Sequence, residues 1–140
     1  MKRTISVLVV VSAMVALSAG AALAVTLVGT DEPETIVGTS NNDWIEGNGG
    51  GDALYGEGGK DRVGGGNGDD LIRGGSGSDH PGFEVGPAAK GLYGGPGDDR
   101  VQGDGSSDVV EGGDGVDLLR GGTGDDWLNG IGGELSARGD

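Results

Sequence analysis

Asp43, Asp52, Asp61, Asp70 and Asp79 fall nine residues apart, and after one longer step Asp99, Asp108, Asp117 and Asp126 resume the same interval. Four stand in Gly-Gly-x-Gly-x-Asp followed by x-aliphatic-x, and the other five keep the glycine five residues before the aspartate. Carboxylates in such a phase are hard oxygen donors in a row, suited to holding a cation. Calcium matches them, because it accepts six to eight oxygens at about 2.3–2.6 Å in a tolerant geometry. Magnesium demands a tighter octahedron and sheds water reluctantly. Zinc favours histidine or cysteine, and the chain has one histidine, His80, and no cysteine. Catalysis is not expected: there is no H-E-x-x-H and no G-x-S-x-G, and one histidine cannot build a zinc triad.

The elements that must position these aspartates follow from the repeat itself. Its first six residues are turn formers, and its last three make a short strand with one side chain inward. Gly65–Arg73, Gly94–Gln102, Gly112–Arg120 and Gly121–Asn129 fit at every position. Gly38–Glu46, Gly47–Tyr55, Gly56–Gly64 and Gly103–Glu111 keep the first glycine, the aspartate and the aliphatic residue. Gly29–Val37 is degenerate, with Glu34 in the aspartate slot and Ile36 in the aliphatic one. Two repeats make one coil, so equivalent turns are eighteen residues apart, or more across the longer step. That places Asp43, Asp61, Asp79, Asp108 and Asp126 along one edge and Asp52, Asp70, Asp99 and Asp117 along the other. Coils about 4.8 Å apart would set carboxylates against one another unless a cation lay between them. Glycine carbonyls of the turns complete the expected donor set: Gly65, Gly66, Gly68, Gly94, Gly95, Gly97, Gly112, Gly113, Gly115, Gly121, Gly122 and Gly124. The inward column is Ile45, Leu54, Val63, Ile72, Leu92, Val101, Val110, Leu119 and Leu128.

One repeat is interrupted. Gly74–Asp79 opens normally but Pro81 takes the aliphatic position; with His80–Lys90 as an eleven-residue insert, Gly91-Leu92-Tyr93 completes the unit. The insert reads as a tolerated excursion from a turn. After Asn129 the aspartate is missing, so residues 130–140 read as a tail and the roll as ending uncapped, open to end-to-end self-association.

This pattern resembles the RTX (repeats-in-toxin, haemolysin-type) calcium-binding nonapeptide family over roughly Gly29–Asn129. The resemblance implies an all-β, right-handed parallel β-roll that holds several Ca2+ ions in its turns. Many RTX proteins resemble cargo exported with an uncleaved C-terminal signal, whereas this chain is expected to use an N-terminal one. That departure leaves the calcium expectation intact and weakens any carry-over of toxin function. The alternative reading is a partner-dependent module of an RTX toxin, adhesin or secreted hydrolase.

Met1–Arg3, the apolar run Ile5–Leu17 and Ala22-Leu23-Ala24 have the order of a secretory signal peptide cleaved after Ala24. The domain reading is therefore signal peptide 1–24, lead-in 25–37, repeat domain 38–129 and tail 130–140, with the mature protein secreted. The net charge is −14, and loss of Lys2 and Arg3 makes it −16. So acidic a chain should repel nucleic acid and anionic lipid and attract cations. No disulfide can form, so metal is the available staple for a small secreted domain. Each buried aliphatic contributes about 1.5–3 kcal/mol, against roughly 1–2 kcal/mol per residue of backbone ordering. The metal-free chain is therefore expected to be disordered, with calcium binding supplying the folding energy. Asp69, Asp98 and Asp125 are expected to face solvent. Trp44, Tyr55, Leu71, Tyr93, Leu118 and Trp127 point outward, either to pack on neighbouring coils or to meet a protein or glycan partner. Arg73, Gln102 and Arg120 fall on one outward column, too few to overcome the acidic field.

Overall fold

The computed structural model describes residues 24–79 and 91–130 together with a strand at 136–138. The signal-peptide reading of residues 1–24, apart from Ala24, and the insert 80–90 lie outside the described residues.

Among the described residues the chain forms twelve short strands and no helix. They are β1 (Thr26–Val28), β2 (Thr35–Val37), β3 (Trp44–Gly49), β4 (Ala53–Gly58), β5 (Arg62–Asn67), β6 (Leu71–Ser76), β7 (Leu92–Pro96), β8 (Arg100–Gly105), β9 (Val109–Asp114), β10 (Leu118–Thr123), β11 (Trp127–Asn129) and β12 (Ser136–Arg138). Odd-numbered strands stack into one parallel sheet, β1-β3-β5-β7-β9-β11, and even-numbered strands into the other, β12-β10-β8-β6-β4-β2. Each strand therefore pairs with the next but one. Trp44, Ile45 and Glu46 lie beside Arg62, Val63 and Gly64, eighteen residues on. This is the parallel β-roll, one coil per two repeats.

Alternation along each strand explains the register. In β4 Leu54, Gly56 and Gly58 are buried while Ala53, Tyr55 and Glu57 turn toward solvent. A one-residue slip would expose every aliphatic side chain. The core is one continuous column of ten buried residues, Leu27, Ile36, Ile45, Leu54, Val63, Ile72, Leu92, Val101, Val110 and Leu119, with Leu128 partly buried against it. Leu27 and Ile36 bring the lead-in into the roll, because β1 pairs with β3 and β2 with β4 in the same register. The tail differs from expectation: Ser136–Arg138 adds a strand beside β10, with Ala137 next to Leu119.

The insert does not break the stack. Val63 pairs with Leu92 and Leu92 with Val110, so the register crosses the eleven extra residues unchanged. Outward Trp44 packs on the neighbouring coil, with Arg62 4.8 Å over its ring, and its indole donates within its own strand to Glu46 at 2.7 Å.

From the repeat that opens at Gly47 onward, the second and fourth repeat positions adopt positive φ. Four carry side chains there, Asn48, Glu57, Asp104 and Ser106, with φ between 75° and 77°. A non-glycine residue in the left-handed region costs about 1–2 kcal/mol. Glu57→Gly is therefore expected to raise stability by about 0.5–1 kcal/mol after glycine's extra unfolded-state freedom is offset. Urea unfolding in saturating calcium measures it, and a loss of stability would contradict the strain.

Candidate metal centre

Each inner aspartate except Asp79 stands one residue before a strand, at the end of its glycine turn, with its side chain folded inward beside the aliphatic column. Asp43, Asp52, Asp61, Asp70, Asp79, Asp99, Asp108 and Asp117 are all buried. They form two ladders. On one edge the N–H groups of Asp43, Asp61, Asp79 and Asp108 donate to Oδ1 of Asp61, Asp79, Asp108 and Asp126 at 2.8–3.0 Å. On the other, those of Asp52, Asp70 and Asp99 donate to Oδ1 of Asp70, Asp99 and Asp117 at 2.8–3.1 Å. The edge assignments read from the spacing are those of the structure, insert included.

The ladder uses only one oxygen of each carboxylate. Oδ2 of Asp52, Asp61, Asp70, Asp79, Asp99 and Asp108 is buried without a hydrogen-bond partner. A buried anionic oxygen in that state is costly unless something compensates it. Each packs against the first glycine of its own repeat, where a backbone carbonyl from the next coil joins it. A methyl group on Gly65 would lie 2.2 Å from Asp70 Oδ2 and 2.6 Å from the Gly94 carbonyl oxygen. On Gly94 it would meet Asp99 Oδ2 at 2.2 Å and the Gly112 oxygen at 2.6 Å. The same pairing sets Asp52 with the Gly65 carbonyl, Asp61 with Gly74, Asp79 with Gly103 and Asp108 with Gly121. A first-position glycine is required because the space of its missing side chain is shared by two oxygens.

Of the glycines expected to donate, Gly65, Gly94, Gly112 and Gly121 thus present carbonyls to an unpartnered Oδ2. The carbonyls of Gly74 and Gly103, which open imperfect repeats and are not among the expected donors, do so as well. Gly66, Gly68, Gly95, Gly97, Gly113, Gly115, Gly122 and Gly124 all adopt positive φ and serve the close stacking of turns. A methyl group on Gly68 would stand 1.7 Å from the Gly50 carbonyl oxygen. Asp117 and Asp126 close the ladders, with Oδ2 against Gly112 and Gly121.

No three side chains of histidine, cysteine, aspartate or glutamate converge among the described residues. The ladder gives the reason: each level supplies one inner carboxylate per edge, so the remaining donors must be main-chain oxygens. A hard cation with an all-oxygen shell fits that set, and calcium is the one whose flexible coordination tolerates it.

Electrostatics point the same way. Burial pushes Asp52, Asp61 and Asp108 up to about 6, opposed by the backbone N–H each accepts and reinforced by neighbouring carboxylates. Burial likewise raises Asp79 and Asp99 to about 7, again opposed by the accepted N–H and reinforced by acids of adjacent coils. Asp70 is also raised, first by burial. Without a compensating positive charge these carboxylates resist ionisation.

The first two turns are built differently. Asp43 Oδ2 accepts from Thr39 N–H at 2.6 Å and from Thr39 Oγ1 at 2.9 Å. Glu34 accepts from Thr30 N–H at 2.7 Å and Thr30 Oγ1 at 2.8 Å. Threonine at the second repeat position thus gives the acid the partners that later turns lack, and Asp43, expected as a metal ligand, has both oxygens hydrogen-bonded. Thr39→Val, which removes the hydroxyl, is expected to destabilise the calcium-loaded roll by about 1 kcal/mol. Chemical denaturation of the calcium form reads that change; an unaltered midpoint would mean the hydroxyl contributes nothing.

The exposed acids form a lesser outer ladder. Asp98 N–H donates to Asp69 Oδ1 and Val116 N–H to Asp98 Oδ1, both at 2.9 Å. Their solvent-facing position was expected; their role in tying turns together was not, and only the spacing Asp69–Asp98 across the insert carries a hint of it.

No curated protein and no solved structure matches the chain. The model of the RTX calcium-binding nonapeptide repeat matches four times, at residues 28–63, 48–80, 93–128 and 111–133, and so covers more than half of it. Phase, fold, paired oxygens and family model agree, and the chain belongs to the RTX calcium-binding repeat family.

Proposed function

We propose that this calcium-binding repeat protein is secreted, folds as it binds calcium outside the cell, and there serves a structural or interaction role without catalysing a reaction. The observation that carries the reading is the row of six buried Oδ2 atoms without partners. Such a row is unfavourable in a calcium-poor compartment and is compensated where calcium is abundant. Extracellular calcium modules bind at about 0.1–1 mM, which would leave the chain open before export and closed after it. The N-terminal basic, apolar and A-x-A segments support export by cleavage. The absence of a recognisable nucleophile–base or zinc motif in the sequence supports a non-catalytic role.

Expression with the native N-terminus in a secreting host tests the localisation. Mature protein beginning at Val25 in the medium is the expected result. Full-length protein retained in the membrane fraction would overturn it.

A further inference from the structure

At the seventh and ninth repeat positions the outward faces of the two sheets differ in charge, while at the second position the even-numbered strands carry Glu57 and Asp104. On the even-strand sheet, the outward side chains at the seventh and ninth repeat positions are Thr35 and Val37, Ala53 and Tyr55, Leu71 and Arg73, Arg100 and Gln102, and Leu118 and Arg120. None is acidic, in a chain with 23 Asp and Glu against 9 Lys and Arg. The opposite sheet carries Glu46 and Glu111 at equivalent positions. Three adjacent strands, β6, β8 and β10, bring Arg73, Arg100 and Arg120 around a groove floored by Leu71, Gln102 and Leu118. The sequence column held Arg73, Gln102 and Arg120 alone; the structure adds Arg100 from the neighbouring column and the groove between them.

We propose that this groove binds a linear acidic polysaccharide, its uronate carboxylates held by Arg73, Arg100 and Arg120. A guanidinium is a planar fork that pairs with carboxylate through two parallel hydrogen bonds. Successive strands step by about 4.8 Å, so Arg73 and Arg120, two strands apart, stand roughly 10 Å from each other along the roll. A chain of repeating acidic sugars laid along the axis offers anions at intervals of that order. Leu71 and Leu118, both exposed, give apolar ground for sugar ring faces. The cationic strip is only two outward positions wide. Asp69 and Asp98 flank it where the strands begin, and Glu57 and Asp104 where they end. A narrow chain fits between these acids, whereas a lipid surface or a nucleic-acid duplex would press its anions against them.

The experiment is retention of the calcium-folded protein on immobilised oligogalacturonate, with a neutral oligosaccharide, double-stranded DNA and phosphatidylserine vesicles as parallel arms. Wild type is expected to bind the oligogalacturonate alone, more weakly as salt rises. The combined Arg73→Gln, Arg100→Gln and Arg120→Gln variant should lose at least about tenfold in affinity. Arg62→Gln on the opposite sheet should bind as wild type does. All three arginines are exposed, so circular dichroism in calcium should be unchanged. If the combined variant does not fold, Arg100→Gln alone must still weaken retention several-fold. No binding of the oligogalacturonate, equal binding by the variant, or preference for DNA or vesicles would overturn the proposal. The calcium-induced fold, read separately by dichroism, stands or falls independently.

Discussion

Asp99→Ala should destabilise the calcium-loaded roll by about 3 kcal/mol, while Asp99→Asn should leave much of that stability and lose calcium affinity instead. The two oxygens of this carboxylate do different work. Oδ1 accepts the buried N–H of Asp70 at 2.8 Å, and Oδ2 has no protein partner. Alanine removes both, stranding a buried donor at about 1–3 kcal/mol and deleting a metal oxygen together with the binding energy linked to it. Asparagine keeps a carbonyl oxygen for the Asp70 N–H but puts an NH2 group, which cannot ligate a cation, where Oδ2 was. Urea unfolding at saturating calcium, with the calcium midpoint by dichroism, separates the two losses. Equal effects of alanine and asparagine on both readouts would contradict the division. Adding Asp70→Ala to Asp99→Ala should depart from the sum of the single changes by at least about 0.5 kcal/mol, as expected for residues in one network. Strict additivity would count against sites shared between neighbouring coils.

Acidification should act in opposite senses on the two forms. Unfolded aspartates titrate near 3.9; in the roll Asp52, Asp61 and Asp108 are raised to about 6, and Asp79 and Asp99 to about 7. A carboxyl group raised on folding contributes stability that is fully present below pH 4 and is lost as pH rises through 6 to 7. The metal-free chain should therefore gain β structure as pH falls from 8 toward 5, because protons then neutralise the ladders. Calcium must displace those protons, so its midpoint concentration should rise several-fold over the same interval. Dichroism across a pH series, with chelator and with calcium, measures both. A calcium midpoint independent of pH from 8 to 5 would contradict the raised carboxylates.

The ladders were legible because a solenoid converts sequence period into spatial neighbourhood. Once two repeats make a coil, Asp70 must stack on Asp52, and an eleven-residue insert moves its next neighbour to Asp99 without changing the edge. The aliphatic column was legible for the same reason. The division between Oδ1 and Oδ2 was not, because the period fixes where a residue sits but not how its carboxylate rotates. Thr30 and Thr39 looked like departures from glycine, yet their N–H and hydroxyl groups close the first two turns; the signal was there in two threonines at the same repeat position. Strand β12 carries no aspartate and no repeat pattern. Backbone pairing along β10 needs neither, so Ser136–Arg138 could not be read from phase. Arg100 was missed because it occupies the seventh position while Arg73 and Arg120 occupy the ninth, and only the pleated sheet brings those columns together.

We propose that calcium compensates the unpartnered buried oxygens and thereby folds the chain. The most direct test is far-ultraviolet circular dichroism of the protein at neutral pH during a calcium titration from chelator to millimolar concentration. Coil in chelator, a cooperative rise of β structure with calcium and little response to equal magnesium is the predicted result. A roll already folded in chelator and unchanged by calcium would contradict it.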